Sequence, residues 1–171
     1  SRRFSIPVSI VGALAYGFSS YYIIILMVGH NTKAMTLAYA PLVFLGLLQV
    51  LIDRKKWGVL WLTLGLALQL HANHLQMTYY TLVMVFIITL MWGIKAWYKR
   101  NISTTLKPVT TVFVSGMLAL VLNAQSVLAT LDYTKFSTRG ASELTINPDG
   151  SEKAASDGLS FDYITSYSYG I

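Results

Sequence analysis

Residues 34–52 read AMTLAYAPLVFLGLLQVLI, an apolar stretch without a charged residue, and they are followed by the charged sequence DRKK at 53–56. A helix rises ~1.5 Å per residue, so a run of about 20 apolar residues matches the ~30 Å hydrocarbon core of a bilayer. Basic residues at the end of such a run are typical of the membrane surface. This stretch therefore predicts a membrane-spanning helix.

The same pattern recurs along the chain. Hydrophobic residues make up 54% of the 171 and charged residues 12%, a composition suited to lipid and not to a water-soluble domain. Apolar runs predict five spans, at residues 4–28, 34–52, 57–70, 77–92 and 108–128. The third is short for a full crossing. The fifth is expected to begin at Pro108, because the first turn of a helix does not need the N–H that proline lacks.

The composition changes after Leu131, where Gly, Ser, Thr, Asp and Glu become frequent and a turn is predicted at NPDG, 147–150. Residues 132–171 are therefore predicted to begin a soluble segment. Because the chain opens at Ser1 without Met and closes in mid-pattern, we expect it to be a fragment of a larger protein. The predicted fold class is an all-α membrane protein with about five transmembrane helices followed by the start of an extracytoplasmic soluble segment.

The basic residues predict the orientation. If the five spans alternate in direction, nine of the basic residues fall on one side, which the positive-inside rule assigns to the cytoplasm. These are Arg2, Arg3, Arg54, Lys55, Lys56, Lys95, Lys99, Arg100 and Lys107. The net charge of +6 thus fits membrane orientation, and we predict no nucleic-acid partner. The absence of cysteine excludes disulfides and thiol chemistry in this chain.

Polar residues gather on the other, outer side, in the segments GHNTK at 29–33 and HANHLQ at 71–76. A lysine ammonium near imidazoles and free N–H groups at a helix start suits an anion such as phosphate. Lys33 is therefore a candidate phosphate contact, or an ordinary lysine that reaches to the lipid headgroups. The candidate substrate-binding residues are His30, Lys33, His71, Asn73, His74, Gln76 and Arg139.

His71 and His74 are three residues apart, so on one helix they would share a face. Three interpretations stay open for them: hydrogen bonds to a polar ligand, packing or capping, and ligation of a metal. No carboxylate lies beside them to complete a coordination shell, and we predict no metal site. Asn73, Gln76 and Tyr79 are candidates to bond sugar hydroxyls or to satisfy one another across helices.

Two residues of the predicted outer segment are further candidates. Arg139 could clamp an anionic headgroup with its planar guanidinium, or form a surface salt bridge to Glu143 or Asp132. Asp132 is the one carboxylate just beyond a predicted outer span end, and it can be a general base only if it points back toward the membrane. The chain has no Gly-rich nucleotide loop, zinc-protease helix motif or Gly-x-Ser-x-Gly nucleophile elbow.

Four stretches resemble the YfhO-like multi-span membrane proteins of Bacteroidetes-type bacteria. They are GHNTK at 29–33 with APL at 40–42, HANHLQMTYY at 71–80, STRGASELT at 137–145 and DYITSYSYGI at 162–171. That family looks like GT-C-class glycosyltransferases. The resemblance implies a bacterial inner (cytoplasmic) membrane, and the charge pattern predicts that the His30 and His74 loops and the tail after Leu131 lie outside.

The resemblance also implies transfer of a sugar from a polyprenyl-phosphate carrier to an envelope acceptor at the outer leaflet. Lys33 and Arg139 would offset the charge on the departing phosphate, and the His, Asn and Gln residues would orient donor or acceptor. The catalytic carboxylate of that class is expected in a first outer loop before Ser1, so the catalytic base stays unknown. The partners implied are membrane lipids, the lipid-linked sugar and envelope proteins. The alternatives are a transporter or flippase of a lipid or polysaccharide precursor, and a non-catalytic subunit of an envelope assembly.

Overall fold

A computed structural model describes residues 4–98 and 102–134, without the side chains of residues 102–104. In this part of the chain the secondary structure is entirely helical, which confirms the all-α fold class. The helices are α1 (Ile6–Gly17), α2 (Ser20–Met27), α3 (Asn31–Leu48), α4 (Trp57–His71), α5 (Leu75–Tyr98), α6 (Ile102–Leu122) and α7 (Ala124–Thr134), and a π-helical turn (Gln49–Asp53) extends α3.

The helices are of a length and composition that suit a bilayer. Four segments of the described chain are long and apolar enough to cross a membrane, namely Ile6–Met27, Asn31–Asp53, Leu75–Tyr98 and Thr105–Leu122. Helix α4 is also apolar, but with 15 residues it is shorter than these four segments, as its sequence predicted. The fold is therefore that of an α-helical membrane protein.

Two predicted spans differ from the helices that form. The first is divided into α1 and α2 at Phe18 and Ser19, where Gly17 and two serines lower helix propensity. Helix α6 begins at Ile102, so Pro108 lies inside the helix and does not begin it. Ser and Thr are frequent before Pro108, and because their hydroxyls can bond to helix carbonyls this segment is compatible with a helix.

Contacts divide the chain into two units, Ser1–Ala124 and Gln125–Ile171. In the first, α3 and α4 form the most extensive helix pair and run antiparallel, and α6 packs against α4. The core residues are Val43, Leu47, Val50, Leu51, Leu62, Leu66, Val85 and Ala119. In the second unit the structure describes 125–134, the α7 helix without a buried residue. The predicted soluble segment beyond Thr134 lies outside the described residues.

Glycines allow α3 and α4 to approach closely. A Cβ on Gly46 would lie 2.6 Å from Leu62 Cα, and a Cβ on Gly65 would lie 2.8 Å from the Val43 nitrogen. A Cβ on Gly58 would lie 2.8 Å from the Val50 nitrogen. Small residues at a helix interface are the usual means of close packing in membranes, where lipid removes most of the hydrophobic drive for association. We call Gly46, Gly58 and Gly65 the glycine seam.

The helix directions define two ends of the first unit. Helices α3 and α5 begin, and α4 ends, at the end that carries His30, His71 and His74, which we call the histidine end. The opposite end carries Arg54, Lys55, Lys56 and Lys95, and we call it the basic end. The candidate site and the basic clusters are thus separated by the length of the helices.

Candidate functional site

The first turn of α3 presents His30 and Lys33. The His30 carbonyl accepts the Ala34 N–H at 3.1 Å, and the imidazole is exposed. Lys33 is half-buried, and its Nζ lies 5.2 Å from the centre of the Tyr21 ring of α2. A cation over an aromatic face is attracted by the ring quadrupole. This contact holds the ammonium against α2 without neutralising it.

Within the described part of the first unit, the Lys33 charge has no nearby carboxylate. Within the described part of Ser1–Ala124 the only acidic residue is Asp53, which belongs to the basic end. An ammonium with an aromatic neighbour and no acidic one keeps its capacity to attract an anion. Aromatic residues in spans are mostly packing residues, so the sequence alone assigns no role to Tyr21.

The turn between α4 and α5 places His71 and His74 on different helices. Ala72 and Asn73 break the helix, so His71 is the last residue of α4 and His74 precedes α5. The premise that the two imidazoles share one helical face is therefore wrong. Asn73 has a left-handed φ of 53°, a conformation that Asn tolerates better than most residues. The chain reverses direction at this position.

His74 and Gln76 both make local hydrogen bonds. His74 Nδ1 accepts a long hydrogen bond from the Met77 N–H at 3.4 Å, which gives His74 the capping role that was one of its open interpretations. Gln76 Nε2 donates to the Tyr80 hydroxyl at 3.0 Å. Both side chains are thus oriented by their own helix, and His71 is exposed beside them.

A buried polar group beneath these residues connects three helices. Gln69 of α4 is fully buried, and its Nε2 donates to the Thr36 carbonyl of α3 at 2.9 Å and to Thr81 Oγ1 of α5 at 3.2 Å. Thr78 Oγ1 donates to the Gln69 carbonyl at 3.4 Å. Gln69 Oε1 has no hydrogen-bond partner among the residues that the structure describes. We call Gln69, Thr36, Thr78 and Thr81 the polar kernel.

The polar kernel was missing from the predicted site, although its signal is in the sequence. Gln69 is an amide inside an apolar span, and such a residue is costly in a membrane unless it has a role. Its partners could not be predicted, since Thr36 is distant in sequence. Asn123, which follows the end of α6, makes a similar connection, because its Nδ2 donates to the Ala67 carbonyl of α4 at 3.1 Å.

The remaining candidates, Asp132 and Arg139, belong to the part of the chain after Ala124. Asp132 is exposed in α7, within the second unit. Arg139 lies outside the described residues. The structure therefore brings six of the seven predicted binding residues to the histidine end: His30, Lys33, His71, Asn73, His74 and Gln76. Within residues 4–98 and 102–134, no group of three or more His, Asp or Glu side chains is placed to hold a metal ion.

Comparisons with protein-family models, with curated proteins and with solved structures found no match. The resemblance to YfhO-like proteins stays a prediction from the sequence.

Proposed function

We propose that the histidine end binds the phosphate of a polyprenyl-phosphate-linked sugar, and that the protein transfers this sugar to an envelope acceptor as a GT-C-class glycosyltransferase. The observation that carries the proposal is the Lys33 ammonium, held 5.2 Å from the Tyr21 ring at an end of the first unit where no described residue is acidic. Such a charge attracts an anionic group at the membrane surface.

The helix dipoles contribute no net attraction. The N-termini of α3 and α5 lie at the histidine end, but so do the C-termini of α2, α4 and α6. Each N-terminus carries about +0.5 elementary charge and each C-terminus about −0.5, so the attraction for an anion comes from the Lys33 ammonium. Free N–H groups in the first turns can also donate to phosphate oxygens.

The remaining residues have roles that fit a sugar phosphate. Lys33 would offset the charge on the departing phosphate, which is the electrostatic part of such a transfer. The exposed imidazoles of His30 and His71 would hydrogen-bond to donor or acceptor. The polar kernel would fix α3 and α5 relative to each other through Gln69. None of the described residues at this end is a carboxylate, so the general base comes from another part of the protein.

The test is native mass spectrometry of the protein purified in mild detergent. Lys33→Met removes the charge and keeps an unbranched chain against Tyr21, and Lys107→Met is the matched control, an exposed lysine of α6. We expect a bound polyprenyl phosphate or its sugar adduct in the unmodified protein and in Lys107→Met. Lys33→Met should lose it, and should lose sugar transfer with it.

Two results would count against the proposal. If Lys33→Met retains the polyprenyl phosphate and transfers sugar normally, the histidine end is not the phosphate site. If only ordinary phospholipids accompany every form, the transporter and the non-catalytic subunit become the better explanations.

A further inference from the structure

Helices α5 and α6 enclose an open groove of about 860 Å³ at some distance from the histidine end. Its walls are mainly apolar, with Leu82, Phe86 and Leu90 from α5 and Val109 and Phe113 from α6. Phe86 is 65% exposed and Phe113 is 69% exposed, so the groove opens sideways to the surroundings of the helices. In a membrane those surroundings are lipid.

The groove wall presents few hydrogen-bonding groups. Thr89 Oγ1, which lies in the wall, donates to the Val85 carbonyl of its own helix at 2.7 Å. A sugar or a peptide in such a groove would leave its polar groups without hydrogen-bond partners, which is unfavourable in an apolar environment. A hydrocarbon chain has no such groups and suits this wall.

The mouth of the groove is more polar than its walls. Trp97 and Tyr98 line it, and both are amphipathic aromatic residues of the kind found at headgroup level. A shallow recess formed by Met91, Ile94, Lys95 and Tyr98 adjoins the groove, because Ile94 and Tyr98 belong to both. The exposed Lys95 ammonium therefore stands beside the mouth of an apolar groove.

We propose that this groove holds one acyl chain of an anionic phospholipid, with Lys95 binding the headgroup. Charge complementarity favours an anionic lipid over a zwitterionic one, since a lysine near the surface attracts the net negative charge. The α6 wall extends from Thr105 to Phe113, about 12 Å at ~1.5 Å per residue. That length is close to half of the ~30 Å hydrocarbon core and matches a chain confined to one leaflet.

The site is separate from the proposed sugar-phosphate site. Lys95 belongs to the basic end, and Lys33 to the histidine end. A lipid bound beside Lys95 is thus independent of glycosyltransferase activity, and either proposal can fail without the other.

The first arm of the test fills the groove. Gly93 lines it, and a Cβ there would meet no atom within 4 Å, so Gly93→Leu can occupy the groove without a clash at its Cβ. Gly12→Leu is the matched control in α1, where a Cβ also meets no atom within 4 Å. The protein is reconstituted in nanodiscs of equal phosphatidylglycerol and phosphatidylcholine with the same acyl chains, and retained lipids are counted by native mass spectrometry. Gly93→Leu should lose one bound lipid that Gly12→Leu retains.

The second arm removes the charge and does not depend on the groove being filled. Lys95→Gln should lower the preference for phosphatidylglycerol about fivefold, while Lys56→Gln, an exposed lysine at the same end, should change it less than about twofold. Equal retention of both lipids by the unmodified protein would overturn the proposal. So would an equal loss of preference in the two lysine variants, because it would indicate general surface charge.

Discussion

At the scale of single residues, a tyrosine of α1 supplies a hydrogen bond that a proline removes from α3. Pro41 lies inside α3 and has no N–H, so the Leu37 carbonyl one turn earlier lacks its helical donor. Tyr16 of α1 supplies one, because its hydroxyl donates to the Leu37 carbonyl at 2.7 Å. Pro41 therefore creates an acceptor that joins α1 to α3.

This pairing predicts a non-additive effect of two substitutions. Tyr16→Phe should lower the free energy of unfolding by about 1 kcal/mol, the usual net contribution of one hydrogen bond. In a Pro41→Ala background the Leu37 carbonyl regains a helical N–H, so the same change should have less effect. Thermal unfolding in detergent of the four forms measures the coupling. An equal loss in both backgrounds would show that Tyr16 acts independently of Pro41.

Asn73 has a role in the backbone in addition to its candidate role as a ligand. The sequence offered its carboxamide as a sugar ligand, and the structure gives its backbone a left-handed φ of 53°. Arg54 is the other non-glycine residue with positive φ among those described, at the opposite helix end. There the Lys55 N–H donates to the Gln49 carbonyl at 3.0 Å, and the Arg54 guanidinium lies 5.0 Å from the Trp92 ring centre. Both residues lie at the C-terminal end of a helical segment, a backbone role that the sequence pattern did not indicate.

At the scale of elements, the pairing of α3 with α4 depends on the glycine seam. Backbone atoms of one helix occupy the space that a side chain on the other would need. Loss of this pairing would also separate Gln69 from Thr36, so the seam supports the polar kernel.

The glycine seam predicts which glycines tolerate alanine. Gly46→Ala and Gly65→Ala should each destabilise the protein by about 1–3 kcal/mol, since the added methyl group meets backbone atoms that cannot turn away. Gly116→Ala in α6 is the control, because its Cβ would meet no atom within 4 Å, and it should be neutral or stabilising. The fraction of protein that stays monodisperse after heating reports the difference. Similar curves for all three variants would contradict the close approach of α3 and α4.

At the scale of the whole molecule, the two ends differ in charge, and this difference predicts the orientation. Because the chain has no cysteine, single cysteines can be introduced without a background. Gln76→Cys at the histidine end should react with an impermeant maleimide added to intact cells. Lys56→Cys at the basic end should react only after the membrane is opened. Both positions are exposed, so a difference in labelling reports membrane side and not burial. The reverse pattern would invert the orientation and place the histidine end in the cytoplasm.

The sequence by itself determined the class of protein and the ends at which its polar residues gather. Hydropathy is a local property of the sequence, so apolar runs such as 34–52 predict helices without knowledge of the helices that pack against them. The short third span was visible for the same reason. The start of α6 was not, because Ser and Thr before Pro108 are equally compatible with a loop and with a helix.

Tertiary structure decided the contacts between helices. Gln69 with Thr36, Tyr16 with the Leu37 carbonyl, and Gly46 with Leu62 join residues far apart along the chain. Such contacts depend on how each helix is rotated about its axis, and nearly uniform apolar spans contain little information about rotation. The sequence therefore predicted which polar segments gather at the histidine end. The hydrogen bonds of the polar kernel, which connect the helices of that end, depend on helix packing and were not predicted.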